Sequence, residues 1–240
     1  TYIVAYHRSS NVARQWEAFS EYPFEWITGK SILGNAFESI IDDKRKTTSD
    51  FVLEGDLVDI SENFNKNESG KSASPFENAG FMANRHVWST DVAPSYDGPC
   101  ITLGKIILPD SQVPEDFFIS DEEMPKWTYL KGKKSEKRIS KEGYEYNYSE
   151  GSMTFPDDLD RPSRTIITGE GGTAPSRFKH VILTPSGRYR RLMPIELERL
   201  NMFPDNHTSG VTDMSRAFLM GNALVTGIVE RIGIVLEKRM

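Results

Sequence analysis

Apolar residues recur at intervals of three and four near the C-terminus, at positions 225, 228, 229, 232, 235 and 236. This spacing predicts a helix with one apolar face, and charged residues such as Glu230 and Arg231 occupy the opposite face. Asn222 is in position to cap the N-terminus of this helix, and Gly221 lets the chain turn into it. The closing helix is therefore the element that the pattern predicts most clearly.

Weaker patterns predict three further helices. One covers residues 11–19 and is capped by Ser10 or Asn11, and a short one covers residues 33–41. Another covers residues 195–203, because Pro194 suits the first helical position and Pro204 stops the element.

Short runs of β-branched and aromatic residues predict strands at 1–7, 101–108, 165–168 and 179–184. Residues 75–125 otherwise favour loops and short strands. Residues 42–74 are polar and rich in Asn, Ser and Lys, which is typical of an insertion or a mobile segment. Gly169–Thr173 must form a loop, since three glycines in five residues would cost too much entropy inside a regular element.

The composition is that of a soluble globular chain. The 240 residues are 38% hydrophobic, enough to bury a real core. The most apolar stretch, 218–236, is interrupted by polar and charged residues, which argues against a membrane span. The single cysteine, Cys100, rules out an internal disulfide and fits a reducing compartment. No signal peptide is recognisable, and a first residue other than Met favours an excised piece of a longer chain.

The net charge of −6 conceals two basic stretches. Residues 126–141 and residues 161–191 each hold seven Lys or Arg against one Glu, whereas residues 110–125 hold six acids and no base. An anionic partner such as nucleic acid therefore remains open. For the first stretch, an ordinary solvated surface is an equally good interpretation.

Two motifs carry a resemblance to a known family. Residues 191–205, Arg-Leu-Met-Pro-Ile-Glu-Leu-Glu-Arg-Leu-Asn-Met-Phe-Pro-Asp, are similar to a block of the bacterial DNA (cytosine-5) methyltransferases, in which a Thr stands at the place of Met193. Residues 221–225, Gly-Asn-Ala-Leu-Val, resemble the closing block of that family. The strand predicted at 165–168 and the opening residues 2–6 resemble two other family segments. The chain thus looks like the C-terminal part of such an enzyme.

The resemblance implies an α/β parent fold that binds S-adenosylmethionine, of which this chain forms mainly an irregular α+β target-recognition domain and a C-terminal helix. Residues 1–41 would end the catalytic domain, 42–180 would form the target-recognition domain, and 181–240 would hold the closing motifs that pack back on the catalytic domain. Double-stranded DNA and the missing N-terminal catalytic half, in cis or as a separate subunit, are the implied partners, in the cytoplasm of a bacterium.

The chemistry of the family needs a nucleophilic Cys in a Pro-Cys-Gln loop, a Glu-Asn-Val segment and a cytosine flipped out of the duplex. Pro99-Cys100 is followed by Ile101, and the two Glu-Asn pairs, at 62–63 and 77–78, precede the cysteine instead of following it. Cys100 is therefore expected to be a structural residue. No catalytic residue is predicted in this chain. No metal site is predicted either, because the four histidines are dispersed.

The resemblance supplies the candidate binding residues. The cofactor is expected near Asn222, Ala223 and Leu224, where the N-terminus of the closing helix would suit its carboxylate. DNA contacts are expected in and around the glycine-rich loop and on the following strand. The candidates are Arg164, Thr165, Gly171, Gly172, Ser176, Arg177, Lys179, Arg188 and Arg190.

The predicted function is the DNA-recognition portion of a restriction-modification methyltransferase that transfers a methyl group to C5 of cytosine, and the chain alone is expected to be inactive. Two alternatives remain open: a natural recognition subunit of a split methyltransferase, and a non-catalytic DNA-binding protein that keeps the motifs as packing elements.

Overall fold

The computed structural model describes residues 1–44, 48–66 and 74–240. Its internal contacts divide the chain into two compact units. Unit 1 consists of Thr1–Gly98 and Glu230–Met240, and unit 2 consists of Pro99–Val229. This division differs from the boundaries after residues 41 and 180 that the resemblance implies, and that functional division remains a prediction.

Unit 1 combines short helices with two small antiparallel sheets. One sheet pairs β1 with β5, and the other has the order β2-β4-β3. The helices are α1 (Asn11–Gln15), α2 (Pro23–Glu25), α3 (Ile32–Ala36) and α4 (Leu57–Asn63). The strands are β1 (Ser39–Ile41), β2 (Thr48–Val52), β3 (Ala79–Ala83), β4 (His86–Thr90) and β5 (Val92–Pro94).

The predictions for unit 1 are confirmed at α1 and are wrong at two other places. Ser10 caps α1 by accepting a hydrogen bond from the Ala13 N–H at 3.2 Å, and a 3-10 turn over Trp16–Phe19 extends the helix. The helix predicted over 33–41 ends at Ala36, and its last residues form β1. The strand predicted at 1–7 does not form, because no strand among the described residues pairs with it.

The core of unit 1 confirms the apolar face predicted for the closing helix. Val235 packs with Val12, Ile32 and Ala36, and Ile232 and Leu236 flank this cluster. The apolar spacing near the C-terminus thus reflects burial against α1 and α3.

Unit 2 holds the two family-like motifs. Its helices are α5 (Met124–Lys131), α6 (Pro194–Leu200) and α7 (Asp213–Asn222), together with the start of α8 (Thr226–Glu237). Its strands form two antiparallel hairpins, β6 (Lys134–Ile139) with β7 (Glu145–Glu150) and β8 (Val181–Leu183) with β9 (Tyr189–Arg191). The core consists of Leu103, Ile166, Ile182, Leu192, Leu197, Ala217 and Met220.

Two predicted strands of unit 2 are wrong for the same reason. At 101–108 the chain makes a 3-10 turn, Leu103–Lys105. The N–H groups of Leu103 and Gly104 donate to the carbonyls of Arg161 and Leu159, at 2.8 and 2.9 Å, outside any sheet ladder. Residues 165–168 are irregular too, although Ile166 is buried in the core. Their apolar residues signal burial, which the sequence pattern could not separate from a strand.

The loop predicted at Gly169–Thr173 is confirmed. The strand predicted at 179–184 forms over the shorter Val181–Leu183, and the helix predicted to begin at Pro194 and end before Pro204 ends at Leu200. The helices α5 and α7 and the β6–β7 hairpin were not predicted. Every strand pair among the described residues is antiparallel. The parallel sheet of the expected parent fold does not occur in this part of the chain.

The predicted cap of the closing helix is wrong. Asn222 is the last residue of α7, and its side-chain amide donates to the Phe218 carbonyl one turn earlier, at 2.9 Å. Residues 223–225 link α7 to α8, and the Thr226 N–H donates to the Asn201 carbonyl at 3.0 Å. Gly221 therefore lies in the last turn of α7 instead of leading into the next helix.

Residues Asp213–Glu237 are long and apolar enough to be a candidate membrane span, and 11% of the most apolar window is buried. The link at 223–225 divides the segment into helices of 10 and 12 residues. Each is shorter than the ~20 residues that cross a bilayer. The segment is therefore weak support for a membrane protein.

Candidate nucleic-acid interface

The glycine-rich loop, defined here as residues 169–180, lies in unit 2 between the irregular segment 164–168 and β8. Its two ends are closed by a buried pair. The Glu170 carboxylate accepts hydrogen bonds from the His180 backbone N–H at 2.9 Å and from its ring Nδ1 at 2.8 Å. His180 is fully buried, and its Nε2 lies 3.1 Å from the Ser163 hydroxyl. The base of the loop is thus a fixed part of the core.

Cationic side chains hold the main chain of this loop from the inside. Arg164 donates to the carbonyls of Phe178 and Lys179, at 2.7 and 2.8 Å, and Lys131 of α5 also donates to the Lys179 carbonyl. Lys179 folds back to the carbonyls of Gly172 and Ala174, at 2.9 and 2.8 Å.

Arg191 of β9 gives the Gly172 carbonyl a second donor at 2.8 Å. Four carbonyls of the loop therefore accept from four cationic side chains. Hydrogen bonds to charged donors are stronger than neutral ones, so the loop conformation is strongly specified.

Three of these four cations, Lys131, Lys179 and Arg191, are buried. Burial, with a smaller contribution from the nearby Arg164 charge, lowers the pKa of Lys131 to about 8. Burial also lowers the pKa of Lys179 and of Arg191 below their ordinary values. The positive charge that the sequence places at 161–191 is thus largely an internal scaffold: of its seven Lys and Arg residues, only Arg161 and Arg188 are exposed.

Close packing against α7 explains the glycines at positions 171 and 172. A Cβ on Gly171 would lie 2.9 Å from the Met214 Cα at the start of α7. Gly172 has φ +77°, and a Cβ there would lie 3.3 Å from the Met214 Cε. Both glycines are half-buried, so their absent side chains admit α7. The DNA contact expected at these two positions stays a prediction.

Three of the predicted DNA-binding side chains are occupied within the fold. Arg164 forms an ion pair with Asp157, with Nε 2.6 Å from Oδ1. Arg177 donates to the Glu150 carboxylate at 2.7 Å and to the Gly151 carbonyl. Lys179, as described, turns into the loop.

The structure contradicts the DNA contact predicted for Arg190. It is fully buried, and its guanidinium makes a bidentate pair with the equally buried Glu196 of α6, at 2.9 and 2.7 Å. It also donates to the Leu108 carbonyl at 3.1 Å. A phosphate cannot reach Arg190 in this arrangement. Arg188, in the turn of the β8–β9 hairpin, is exposed. Its guanidinium stacks over the Phe118 ring at 3.6 Å and pairs with Glu115.

The remaining predicted residues lie at the surface or near it. Thr165 is exposed, and the Ser176 hydroxyl accepts from the Phe178 N–H at 3.3 Å. Of the cofactor candidates, Asn222 is exposed at the end of α7, and in the link that follows Leu224 is exposed and Ala223 is half-buried. Cys100 is exposed, in an irregular segment and not at the start of a strand.

Sequence reasoning missed Phe178, which is 52% exposed although both neighbouring side chains point inward. An apolar residue between two basic ones, after the predicted loop and directly before the strand predicted at 179–184, was the available signal. It also missed Lys131, whose role depends on a contact across 48 positions of sequence.

Unit 2 therefore presents a loop whose main chain is held in place from within by cationic side chains. The whole chain matches the family described as C-5 cytosine-specific DNA methylase over residues 1–238, and it belongs to that family. It is 43% identical over 183 residues to the Type II methyltransferase M.Sau3AI of Staphylococcus aureus. The match covers 76% of this chain and 41% of that relative. No solved structure matches the chain.

Proposed function

We propose that this chain is the DNA-recognition portion of a DNA (cytosine-5) methyltransferase of a bacterial restriction-modification system, active in the cytoplasm. The enzyme would transfer a methyl group from S-adenosylmethionine to C5 of a cytosine flipped out of a specific duplex sequence. The catalytic nucleophile would come from a separate catalytic part of the enzyme. The chain would read the sequence, and alone it would be inactive.

The observation that carries the proposal is the anchoring of the glycine-rich loop. Burying a cation is costly because it loses its hydration. At these positions apolar side chains could have packed instead, yet the buried side chains are cations that donate to the loop carbonyls. Such an arrangement fixes a surface loop in one conformation before a ligand arrives. Preorganisation of this kind reduces the entropy lost on binding and is valuable where a rigid duplex must be read.

Phosphate contacts would come from cations outside the loop. Arg188 is exposed in the turn of the β8–β9 hairpin, and the basic stretch 126–141 also has exposed members. Lys131 and Lys134 of that stretch are buried, the latter paired with Glu150 at 2.7 Å. The exposed lysines are Lys126, Lys133, Lys137 and Lys141. Compact cations on a surface are suited to sequence-independent phosphate binding.

The residues around the α7–α8 link do not form a cofactor site by themselves. Asn222 uses its amide within α7, and the first N–H of α8 is taken by Asn201. The reason offered by the sequence, a free helix N-terminus capped by Asn222, therefore does not hold. S-adenosylmethionine would be held mainly by the catalytic part, and no step of the reaction is assigned here to Asn222, Ala223 or Leu224.

The test is DNA binding and methyl transfer by the complete protein that contains this chain. We expect preferential binding of one duplex sequence selected from a randomised pool, with an affinity that falls steeply with salt. Arg188→Ala should lower the slope of log affinity against log salt by about one, which is the loss of one phosphate contact.

Absence of sequence preference at low salt would overturn the proposal. Binding without transfer of a labelled methyl group from S-adenosylmethionine would instead identify a non-catalytic DNA-binding protein. Transfer that requires a separately encoded chain would identify a split enzyme, whereas transfer by these 240 residues alone would contradict the recognition role.

A further inference from the structure

The outward side of the glycine-rich loop carries no free cation among the described residues. Arg177 and Lys179 both turn inward, to Glu150 and to the loop carbonyls. The exposed groups of the loop are therefore uncharged. They can contact bases, but they cannot neutralise phosphates.

Phe178 is the largest of these exposed groups, with 52% of its surface accessible. Its two neighbours point into the protein, so its own side chain projects away from it. A single exposed aromatic residue is ordinary on a protein surface. What distinguishes Phe178 is the rigidity of its surroundings.

The main chain at Phe178 is fixed on both sides. Its carbonyl accepts from Arg164 at 2.7 Å, and its N–H donates to the Ser176 hydroxyl at 3.3 Å. The next carbonyl, that of Lys179, accepts from both Arg164 and Lys131. An apolar ring is thus held out to solvent by hydrogen bonds, most of them from charged donors, to the main chain around it. That costs stability unless the ring meets a partner.

From this geometry we infer that the ring of Phe178 contacts a base of the bound duplex and contributes to sequence discrimination without contributing to phosphate binding. The inference rests on the proposed function. The chemistry it requires is an apolar surface in a groove, either the 5-methyl group of a thymine or the face of an unstacked base. Arg164 is then a positioning residue, because it acts on DNA through the backbone of Phe178. Lys131 supports the same stretch of main chain at the next carbonyl, that of Lys179.

The experiment compares Phe178→Ala with wild type in the complete protein. The probes are the duplex that the wild-type protein selects from a randomised pool and a duplex of the same composition in scrambled order, each measured over a series of salt concentrations. We expect the preference for the selected duplex to fall about tenfold or more. The salt slope should stay unchanged, since no phosphate contact is lost.

Tyr22→Ala is the matched control, because this residue of unit 1 is 57% exposed and belongs to no site described above. It should leave the preference unchanged. An unaltered thermal unfolding transition would show that Phe178→Ala still folds, as expected for an exposed ring.

Replacing each thymine of the selected duplex by deoxyuridine identifies the group contacted. If wild type loses affinity at one position and Phe178→Ala does not, the ring contacts a thymine methyl group. If no position matters but Phe178→Ala still loses preference, the ring contacts a base face. Either result supports the inference.

An unchanged preference in Phe178→Ala would overturn the inference and leave the proposed function intact. An equal loss on both duplexes together with a smaller salt slope would also overturn it, because that result describes a phosphate contact. If wild type itself shows no preference, the proposed function fails, and the inference fails with it.

Discussion

At the residue scale, charge in unit 2 is used mainly inside the protein. Arg190 and Arg188 lie two positions apart on one hairpin, yet one is fully buried against Glu196 and the other is exposed beside Phe118. Strand alternation does not explain this difference, because residues two positions apart in a strand face the same side. Arg188 lies in the turn before β9, outside the strand, whereas Arg190 is in the middle of β9. Counting basic residues therefore overestimates the surface available to an anion.

Lys131 provides a test of this internal charge. Its pKa in the folded chain is about 8, below the ordinary 10.5, because burial disfavours the charged form. The unfolded chain therefore binds more protons between these two values, so the stability of the fold should rise with pH across that window. At 1.36 kcal/mol per pKa unit, the full change is about 3 kcal/mol.

The measurement is the free energy of unfolding of wild type and of Lys131→Met, below pH 8 and again near pH 10.5. Wild type should gain stability relative to the variant as the pH rises, because only wild type releases this buried proton. A difference between the two proteins that does not change with pH would show that Lys131 is not desolvated as the structure indicates.

At the scale of elements, the sequence predicted those whose signal is local. The apolar face of α8, the Ser10 cap of α1 and Pro194 at the start of α6 each depend on residues within one or two turns. The loop at Gly169–Thr173 was likewise predicted from its own composition.

The errors occur where partners are distant in sequence. Residues 101–108 and 165–168 resemble strands because they are apolar, but their backbone groups bond outside any ladder. Arg164, Lys131 and Arg191 come from separate segments and meet at the loop, and no spacing rule links those segments. The sequence could therefore predict that this segment is a loop, but it could not predict that distant cationic side chains hold its main chain in place.

Gly221 illustrates how the family-like motif acts as a packing element. A Cβ at this position would lie 2.4 Å from the Cα and N atoms of Thr168. The glycine lets α7 lie directly on the irregular segment that leads into the glycine-rich loop. We expect Gly221→Ala to destabilise unit 2 by about 1–3 kcal/mol, the usual range for overpacking against main chain.

Gly233→Ala is the matched control, since a Cβ on this helical glycine meets nothing within 4 Å. Alanine is the better helix former, and this variant should be more stable by about 0.5–1 kcal/mol. Both values can be measured by chemical denaturation. A neutral Gly221→Ala would mean that α7 can move off Thr168 at no cost.

At the scale of the whole molecule, the chain spans about two fifths of the length of its relative from Staphylococcus aureus. In unit 2, α7 and the following link expose large apolar side chains at positions where a helix in contact with water usually carries polar ones. Met214 is 64% exposed, Phe218 54% and Leu224 54%. A grouping of this kind marks a surface that another part of a protein covers. In the proposed enzyme, the catalytic part would be that cover.

Phe218→Lys tests this arrangement, because a charge at a covered apolar contact is costly to bury. In the complete protein, the substitution should abolish methyl transfer and leave the preference for the selected duplex intact, since Phe218 lies outside the glycine-rich loop. Leu57→Lys, at an 82% exposed position of unit 1, is the control and should leave both activities unchanged. If Phe218→Lys retains full transfer, the apolar side of α7 faces solvent in the working enzyme. The closing motif would then serve the internal packing at Gly221 alone, and the catalytic part would have to contact the recognition unit elsewhere.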